Sequence, residues 1–466
     1  MFNYTATYID YYQLTMAQAY FLKGQKDTRA IFDYFFRKLP FDSGYAIFAG
    51  LEDLIGALEI LRFDEKDLDF LEQQGFHSGF IKYLKTFRFN GNIYSSSEGD
   101  IVFPVRPVLQ VEGNIIEAQI IETILLNILN FQSLIATKAS RLRQAAEGRK
   151  LIDFGLRRAQ GPGGYYASRA AFIGGFDATS NVRASRDYGI PISGTMAHSY
   201  IESYDDELTA FMNFTEVRPE DCVLLVDTYD TLKFGVPNAI LAAKRMEEKG
   251  QRLNGIRLDS GDLAYLSKKS RELLDNAGLH YVKIAVSNQL DEFVIKSLLE
   301  QQAPIDVFGV GTNLVTGYPD AALDGVYKLS FADGKPRIKL SENVGKITLP
   351  HKKQVYRVLD IDGKLIGADV VSLAEEDPEM MHHPLYPLKS LNIKNNKKEP
   401  LLRPVMENGK RVVHPLSLSE IAKYSKDRLK SLPPEFKRFN YPHIYKVGLS
   451  DKLKNEMDRL VAEFKK

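Results

Sequence analysis

The chain has 466 residues, 44% of them apolar and 26% charged, with a net charge of +1. Its length exceeds one ordinary core, so two or three domains are expected, and the near-neutral balance gives no bulk attraction to nucleic acid or to an anionic membrane. The single cysteine, Cys222, excludes an intramolecular disulfide and a thiolate metal cage.

The opening residues, MFNYTATYID, lack a basic n-region followed by an apolar h-region, and no apolar run approaches a membrane span. The expectation is a cytoplasmic protein of enzyme size. DYYQLTMAQAYFL has helical spacing, with Leu14, Ala17 and Phe21 on about one face. RAIFDYFFRKLP and NIYSSSEGDIVFPVRPVLQVEG read as strands broken by Gly, Pro and Ser. NIIEAQIIETILLNILNFQSLIATKASRLRQAA is a long helical stretch, apolar over a breadth that predicts burial between two layers.

From about Leu151 the pattern changes to short apolar runs ending in Gly, Asp, Ser, Asn or Thr. They are LIDFGLRR, AAFIGGFDATS, GIPISGTMAHSY, CVLLVDTYDT, NGIRLDSGDL, VKIAVSNQLDE, IDVFGVGTNL and DGVYKLS. Most are separated by about 20–35 residues, the length of a strand and a returning helix. These eight runs suggest a barrel of parallel strands, complete or irregular, with an open doubly wound sheet as the competing reading. No G-x-G-x-x-G opens the first crossover, so a dinucleotide fold has little support. Beyond about Gly345, KKQVYRVLDIDGKLIGADVVSL returns to strands with an Asp-Gly turn, and SLNIKNNKKEPLLRP is expected as a solvated basic loop. Ser417 and Glu420 fit a capping box before IAKYSKDRLKSL, and SDKLKNEMDRLVAEF is amphipathic. The expected domains are an N-terminal α/β sandwich part over residues 1–130, a barrel carrying the site over 131–345, and a C-terminal segment, 346–466, returning to the sandwich.

In a barrel the C-terminal strand ends converge on one face, where catalytic groups sit. The runs place Arg157 and Arg158, Asp177, Thr179 and Ser180, Thr195 and His198, Asp227 and Thr228, Arg257, Asp259 and Ser260, Ser287 and Asn288, and GVGTN there. FGVGTN suits a phosphate cradle: Gly309 and Gly311 let backbone N–H groups approach an anion, and Thr312 adds a hydroxyl. A tight glycine turn explains the same letters. Arg257 and Asp259 share a strand face; the arginine can fork onto a carboxylate or phosphate, and the aspartate can accept ribose hydroxyls or hold Mg²⁺. A structural Arg–Asp pair is the alternative. His198 reads either as a packed core histidine or as an acid, base or phosphoryl acceptor.

Taken together, DYYQLTMAQAYF, DFGLRRAQGP, GGFDATSNV, GTMAHSY, LLVDTYDTL, GIRLDSGDL, SNQLDE, FGVGTNLVTG, GVYKLS and KKQVYR resemble the nicotinate phosphoribosyltransferase family, in order from Asp10 to Arg357. The resemblance implies a type II phosphoribosyltransferase fold, an irregular α/β barrel with an α/β sandwich domain built from both chain ends. It implies a reaction of nicotinate with phosphoribosyl pyrophosphate, giving nicotinate mononucleotide and pyrophosphate, coupled to ATP and supported by Mg²⁺. His198 matches the histidine that the family phosphorylates. Tyr12 would stack on the pyridine ring from a partner subunit, which implies a homodimer. Arg157, Asp177, Thr195 and Arg257 would hold nicotinate. Asp227, Asp259, Ser260, Gly261 and Asn288 would lie near ribose and Mg²⁺-pyrophosphate, and Gly309, Gly311 and Thr312 near the 5′-phosphate. Nicotinamide phosphoribosyltransferase is the nearest rival. Two positions depart from the family pattern: Gly163 in GPGG, where GPDG is expected, and His351, where glycine is expected.

Overall fold

In the computed structural model, residues 4–341, 347–384, 386 and 388–464 are described. The chain divides into two compact units, residues 138–321 and residues 1–137 with 322–466.

Residues 138–321 form an irregular parallel α/β barrel. Its strands are Lys150–Asp153, Ala178–Thr179, Val223–Leu225, Gly255–Leu258, Lys283–Ser287 and Val307–Val310. They pair in parallel in the order 178, 150, 307, 283, 255, 223, by first residue. The strands are short, and their outward-facing residues, Leu151, Leu224, Ile256, Ile284 and Phe308, are fully buried. The third expected run forms no strand. Pro191 and Gly194 interrupt it, leaving one bridge between Ile192 and Thr179. The gap between this run and the Val223 strand is crossed by the Thr195 hydroxyl, which donates to the Val223 carbonyl. Three of the returning helices start on a capping side chain. Asn181 accepts from Ala184 N, Asp262 from Tyr265 N, and Asp291 from Val294 N, at 3.2, 3.0 and 2.8 Å. These caps satisfy orphan N–H groups and fix where each strand-to-helix loop ends.

The other unit is built from both ends of the chain. Arg29–Phe36 pairs antiparallel with Gly325–Ala332 on one side and Leu109–Asn114 on the other, inside a seven-stranded sheet. DGVYKLS, expected as the eighth barrel strand, therefore belongs here. The boundary between units falls at 321/322, and the expected position, 345/346, lies outside the described residues. The other boundary falls at 137/138, against an expected 130/131. A six-stranded sheet holds the Lys353–Leu359 and Leu365–Leu373 hairpin. Its two edges, Ser390–Asn392 and Lys397–Pro400, come from the segment expected as a solvated loop. Lysines there are compatible with a strand because edge strands commonly carry charge. Tyr11–Leu22 is helical, and the Ser417–Glu420 capping box starts helix Leu418–Ser431 as expected. Among the described residues no helix is long and apolar enough to cross a membrane.

Behind the barrel, Glu292 is buried with Lys138 at 2.5 Å and Arg141 at 2.8 Å. Burial would raise its pKa, but the two cations outweigh that and hold the carboxyl below its ordinary value. This ion triad therefore stabilises fully above the unfolded carboxylate value and is lost as pH falls through the lower folded value. Glu292→Ala leaves two buried cations without this partner and is expected to destabilise by about 3–5 kcal/mol. Urea unfolding at neutral pH would measure the loss, and the gap to wild type should shrink in acid.

Candidate active site

The C-terminal strand ends enclose a cavity of about 520 Å³. Its wall brings together Arg157, Arg158, Thr195, His198, Arg257, Asp259, Asn288, Gly309, Gly311 and Thr312, drawn from segments far apart in sequence.

Asp227 organises one side of the cavity from beneath. It follows the Val223 strand, and its side chain is 1% exposed. Oδ2 accepts from Asp259 N at 2.8 Å and from the Ser260 hydroxyl at 2.6 Å, fixing the neighbouring strand end. Oδ1 is buried with no hydrogen-bond partner and lies 3.9 Å from His198 Nε2. His198 begins the short helix His198–Glu202, and its side chain is 38% exposed. Its Nδ1 lies 3.1 Å from the Thr228 hydroxyl. Ser287 donates to Asp259 Oδ1 from the next strand. The polar residues that end successive runs thus form one network.

Arg257 reaches into the same space. Burial lowers its pKa, while Asp259 and Asp227 pull it back up; a guanidinium stays charged in any case. Nη1 donates to the Met196 carbonyl at 3.4 Å, and Nε is buried without a partner. Its guanidinium carbon lies 5.9 Å from the Phe154 ring centre. The cavity therefore offers a fixed cation beside an aromatic face.

Asp153 and Phe154 were not singled out from the sequence. Asp153 is buried at the end of its strand and accepts from Ser168 Oγ at 2.7 Å, Thr179 Oγ1 at 2.8 Å and Gly155 N at 2.8 Å. Burial raises its pKa, against the lowering effect of these bonds. Its signal was an aspartate closing an apolar run, the same signal that singled out Asp227. Phe154 explains Gly309: a Cβ there would fall on the Phe154 ring. A Cβ at Gly311 would lie 3.2 Å from the Phe154 carbonyl oxygen. The two glycines thus admit the loop that carries Phe154, as well as lining the cavity. Helix Thr312–Val315 is one turn long, so Gly311–Asn313 offer free N–H groups rather than a macrodipole. Asn288 and Gln289 follow at φ +83° and +49°, rare for side-chain-bearing residues and typical of a functional loop. Asn313 props this turn, donating to the Leu290 carbonyl at 3.1 Å.

Several expected site residues lie elsewhere. Asp177 precedes its strand, at the opposite end of the barrel, where it accepts from Leu151 N at 2.8 Å and pairs with Arg143. Ser260 and Gly261 do not line the cavity; Ser260 serves Asp227, and Gly261, at φ +77°, turns the chain towards the Asp262 cap. Tyr12 belongs to the other unit and is half-exposed on helix Tyr11–Leu22. Thr195 lines the cavity, but its proton is already committed to Val223. Gly163 is the first residue of helix Gly163–Ile173. His351 adopts φ +68°, where glycine is favoured, and its ring lies 2.9 Å from Glu456.

Three family models match the chain: the nicotinate phosphoribosyltransferase (NAPRTase) N-terminal domain over residues 8–130, the nicotinate phosphoribosyltransferase (NAPRTase) family over 149–362, and the nicotinate phosphoribosyltransferase C-terminal domain over 352–457. Nicotinate phosphoribosyltransferase of Bacillus subtilis (strain 168) is 45% identical over 465 residues, covering 97% of this chain and 94% of that protein. Human nicotinic acid phosphoribosyltransferase superposes with a TM-score of 0.87 at 31% identity, covering 97% of this chain and 99% of that one. Nicotinate-nucleotide pyrophosphorylase from Pyrococcus furiosus superposes with a TM-score of 0.72 at 28% identity, covering 91% and 95%.

Gly309→Ala puts a methyl group against the Phe154 ring. The expected cost is about 1–3 kcal/mol, typical of overpacking, with Phe154 displaced into the cavity. Denaturant unfolding checks the first expectation and a crystal structure of the variant the second.

Proposed function

The chain belongs to the nicotinate phosphoribosyltransferase family, enzymes of NAD biosynthesis acting on nicotinate and phosphoribosyl pyrophosphate, and from that premise we propose an ATP-coupled reaction with His198 as phosphoryl acceptor.

Arg257 carries the choice of an acid over its amide. A half-buried guanidinium with a buried, unpartnered Nε suits a carboxylate, which can accept two N–H bonds; a neutral carboxamide matches it less well. The nicotinamide alternative is not favoured, and the relatives above are named for nicotinate. Phe154 supplies one face for the pyridine ring, with its carboxylate on Arg257. Tyr12 supplies the opposite face from a partner subunit in a homodimer. The N–H groups near Gly311 and Thr312, with Arg157 and Arg158, hold the phosphates.

The pyridine nitrogen attacks the anomeric carbon as the bond to pyrophosphate breaks, and the electron pair leaves on pyrophosphate. No base is needed, because the pyridine nitrogen is unprotonated at neutral pH. The protein contributes orientation and charge stabilisation. Among the described residues no cluster of three or more His, Cys, Asp or Glu groups could cage a metal. Asp259, on the cavity wall, with the unpartnered oxygen of Asp227 behind it, nevertheless fits Mg²⁺, which commonly takes one or two carboxylates with substrate phosphates. When bound, Mg²⁺ neutralises the leaving pyrophosphate.

For the ATP step, Asp227 faces Nε2 and favours the tautomer with its proton there. Nδ1, now beside the Thr228 hydroxyl, then presents its lone pair. The Nδ1–P bond forms as the γ-phosphorus–oxygen bond breaks, and its electron pair leaves on ADP. The retained Nε2–H carries positive charge towards Asp227 Oδ1. The phosphoryl group adds negative charge beside the cavity and so couples ATP cleavage to substrate binding or product release.

Radiolabelled ATP should leave an acid-labile phosphate on the wild-type protein and none on His198→Ala. The variant should retain slow, ATP-independent mononucleotide synthesis. Label persisting on the variant would overturn the role of His198. Arg257→Gln should lower kcat/KM for nicotinate by about 10²-fold or more, the scale of removing one member of a buried charge pair. Steady-state assays with nicotinate and nicotinamide should show the preference between them narrowing in that variant. Faster wild-type turnover of nicotinamide would refute the substrate choice.

A further inference from the structure

We propose that the interior of the barrel, behind Arg257 and Phe154, is a second binding site, for an organic anion with an aromatic or otherwise apolar body. Side chains ordinarily fill such a barrel in layers. Here a cavity of about 760 Å³ runs along the strands, within the usual range for ligand pockets.

The residues facing inward explain the opening. Gly255, Ala285, Val223 and Val307 point to the axis, and none is large enough to cross it. Their neighbours Leu224, Ile256, Ile284 and Phe308 point outward and are 0% exposed. Val223, Ala285 and Val307 are only half-buried, the reverse of a filled barrel. The four-residue Gly255–Leu258 strand implies a channel depth of about 13 Å, at roughly 3.3 Å per residue.

The two ends differ. At the inner end the channel shares Phe154, Ser180, Gly194, Thr195, Arg257 and Gly309 with the reaction cavity. The far mouth, at the N-terminal strand ends, is basic: Lys150, Arg218, Arg252 and Lys283 line it, with Asp221 the one carboxylate on the wall. Among the described residues Lys150, Arg218 and Lys283 have no ion-pair partner, and Arg252 lies 5.0 Å from the Tyr281 ring centre. Nearby acids are engaged elsewhere: Asp306 accepts from Ile284 N, and Glu247 pairs with Lys244 and accepts from the Tyr281 hydroxyl. Phe214 and Tyr281 add apolar wall next to these charges. An apolar body in the barrel with its anionic group on this rim satisfies both halves. Its inner end would meet Arg257 and Phe154, so occupancy of the two cavities is linked, and the linkage is reciprocal.

Pyridoxal 5′-phosphate, an aromatic phosphate with an aldehyde, tests this on the full chain. Its carbonyl condenses with a lysine Nζ, forming C=N and releasing water, and borohydride reduces that imine to a stable secondary amine. The reaction cavity has no lysine on its wall, so labelled lysines report the far mouth. Peptide mass mapping should find Lys150 and Lys283 labelled about ten-fold or more faster than other exposed lysines, through local concentration of the anion. Ala285→Leu, which plugs the barrel, should slow their labelling several-fold, to about the rate of the other lysines. Arg252→Glu, at the exposed rim, should do the same, and keeps the test decisive if the plugged variant does not fold. Uniform labelling of surface lysines, or rates unchanged by these substitutions, would overturn the proposal.

Discussion

A half-buried guanidinium sets the terms for the barrel unit. Removing Arg257 from water is unfavourable, and Asp259, Asp227 and the Met196 carbonyl offset the penalty. That requirement places carboxylates at the ends of two neighbouring strands. Each is then fixed in turn: Asp227 accepts from Asp259 N and Ser260, and Ser287 holds Asp259. Two atoms stay unpaired, Arg257 Nε and Asp227 Oδ1. Buried polar atoms are rarely left so, and both lie where the proposed chemistry needs a donor and an acceptor.

The same unit departs from an ordinary barrel in packing. Gly255, Ala285, Val223 and Val307 leave space along its axis, and one of its expected strands is reduced to a single bridge. Closure at that point rests on the Thr195 side chain rather than a ladder of backbone bonds. Outside the axis, capped helices and the buried Glu292 triad hold the polar groups in place.

Much of the cavity was legible in the sequence because parallel strands project their last residues to one face. His198, Arg257, Asp259, Asn288, Gly311 and Thr312 all line it. Asp177 failed because it precedes its strand, and a short run does not reveal which of its ends bears the polar residue. Phe154 was missed because an aromatic after an apolar run looks like core. The basic stretch around Lys397 was misread because an edge strand and a solvated loop share the same composition. DGVYKLS was misassigned because a strand of the antiparallel sheet has the same apolar length as one of the barrel.

The sequence by itself determined the kind of protein: a two-unit α/β chain whose motifs match one family in order, with the residue types of its site. Those features are local, carried by spacing, capping letters and polar residues at the ends of apolar runs. Only the tertiary structure decided that Gly309 makes room for Phe154, that Thr195 closes the barrel, and that Asp227 turns one oxygen towards His198. It also decided that the barrel is hollow with a basic far mouth. Each depends on which side chains meet across strands distant in sequence, and no periodicity along the chain encodes that.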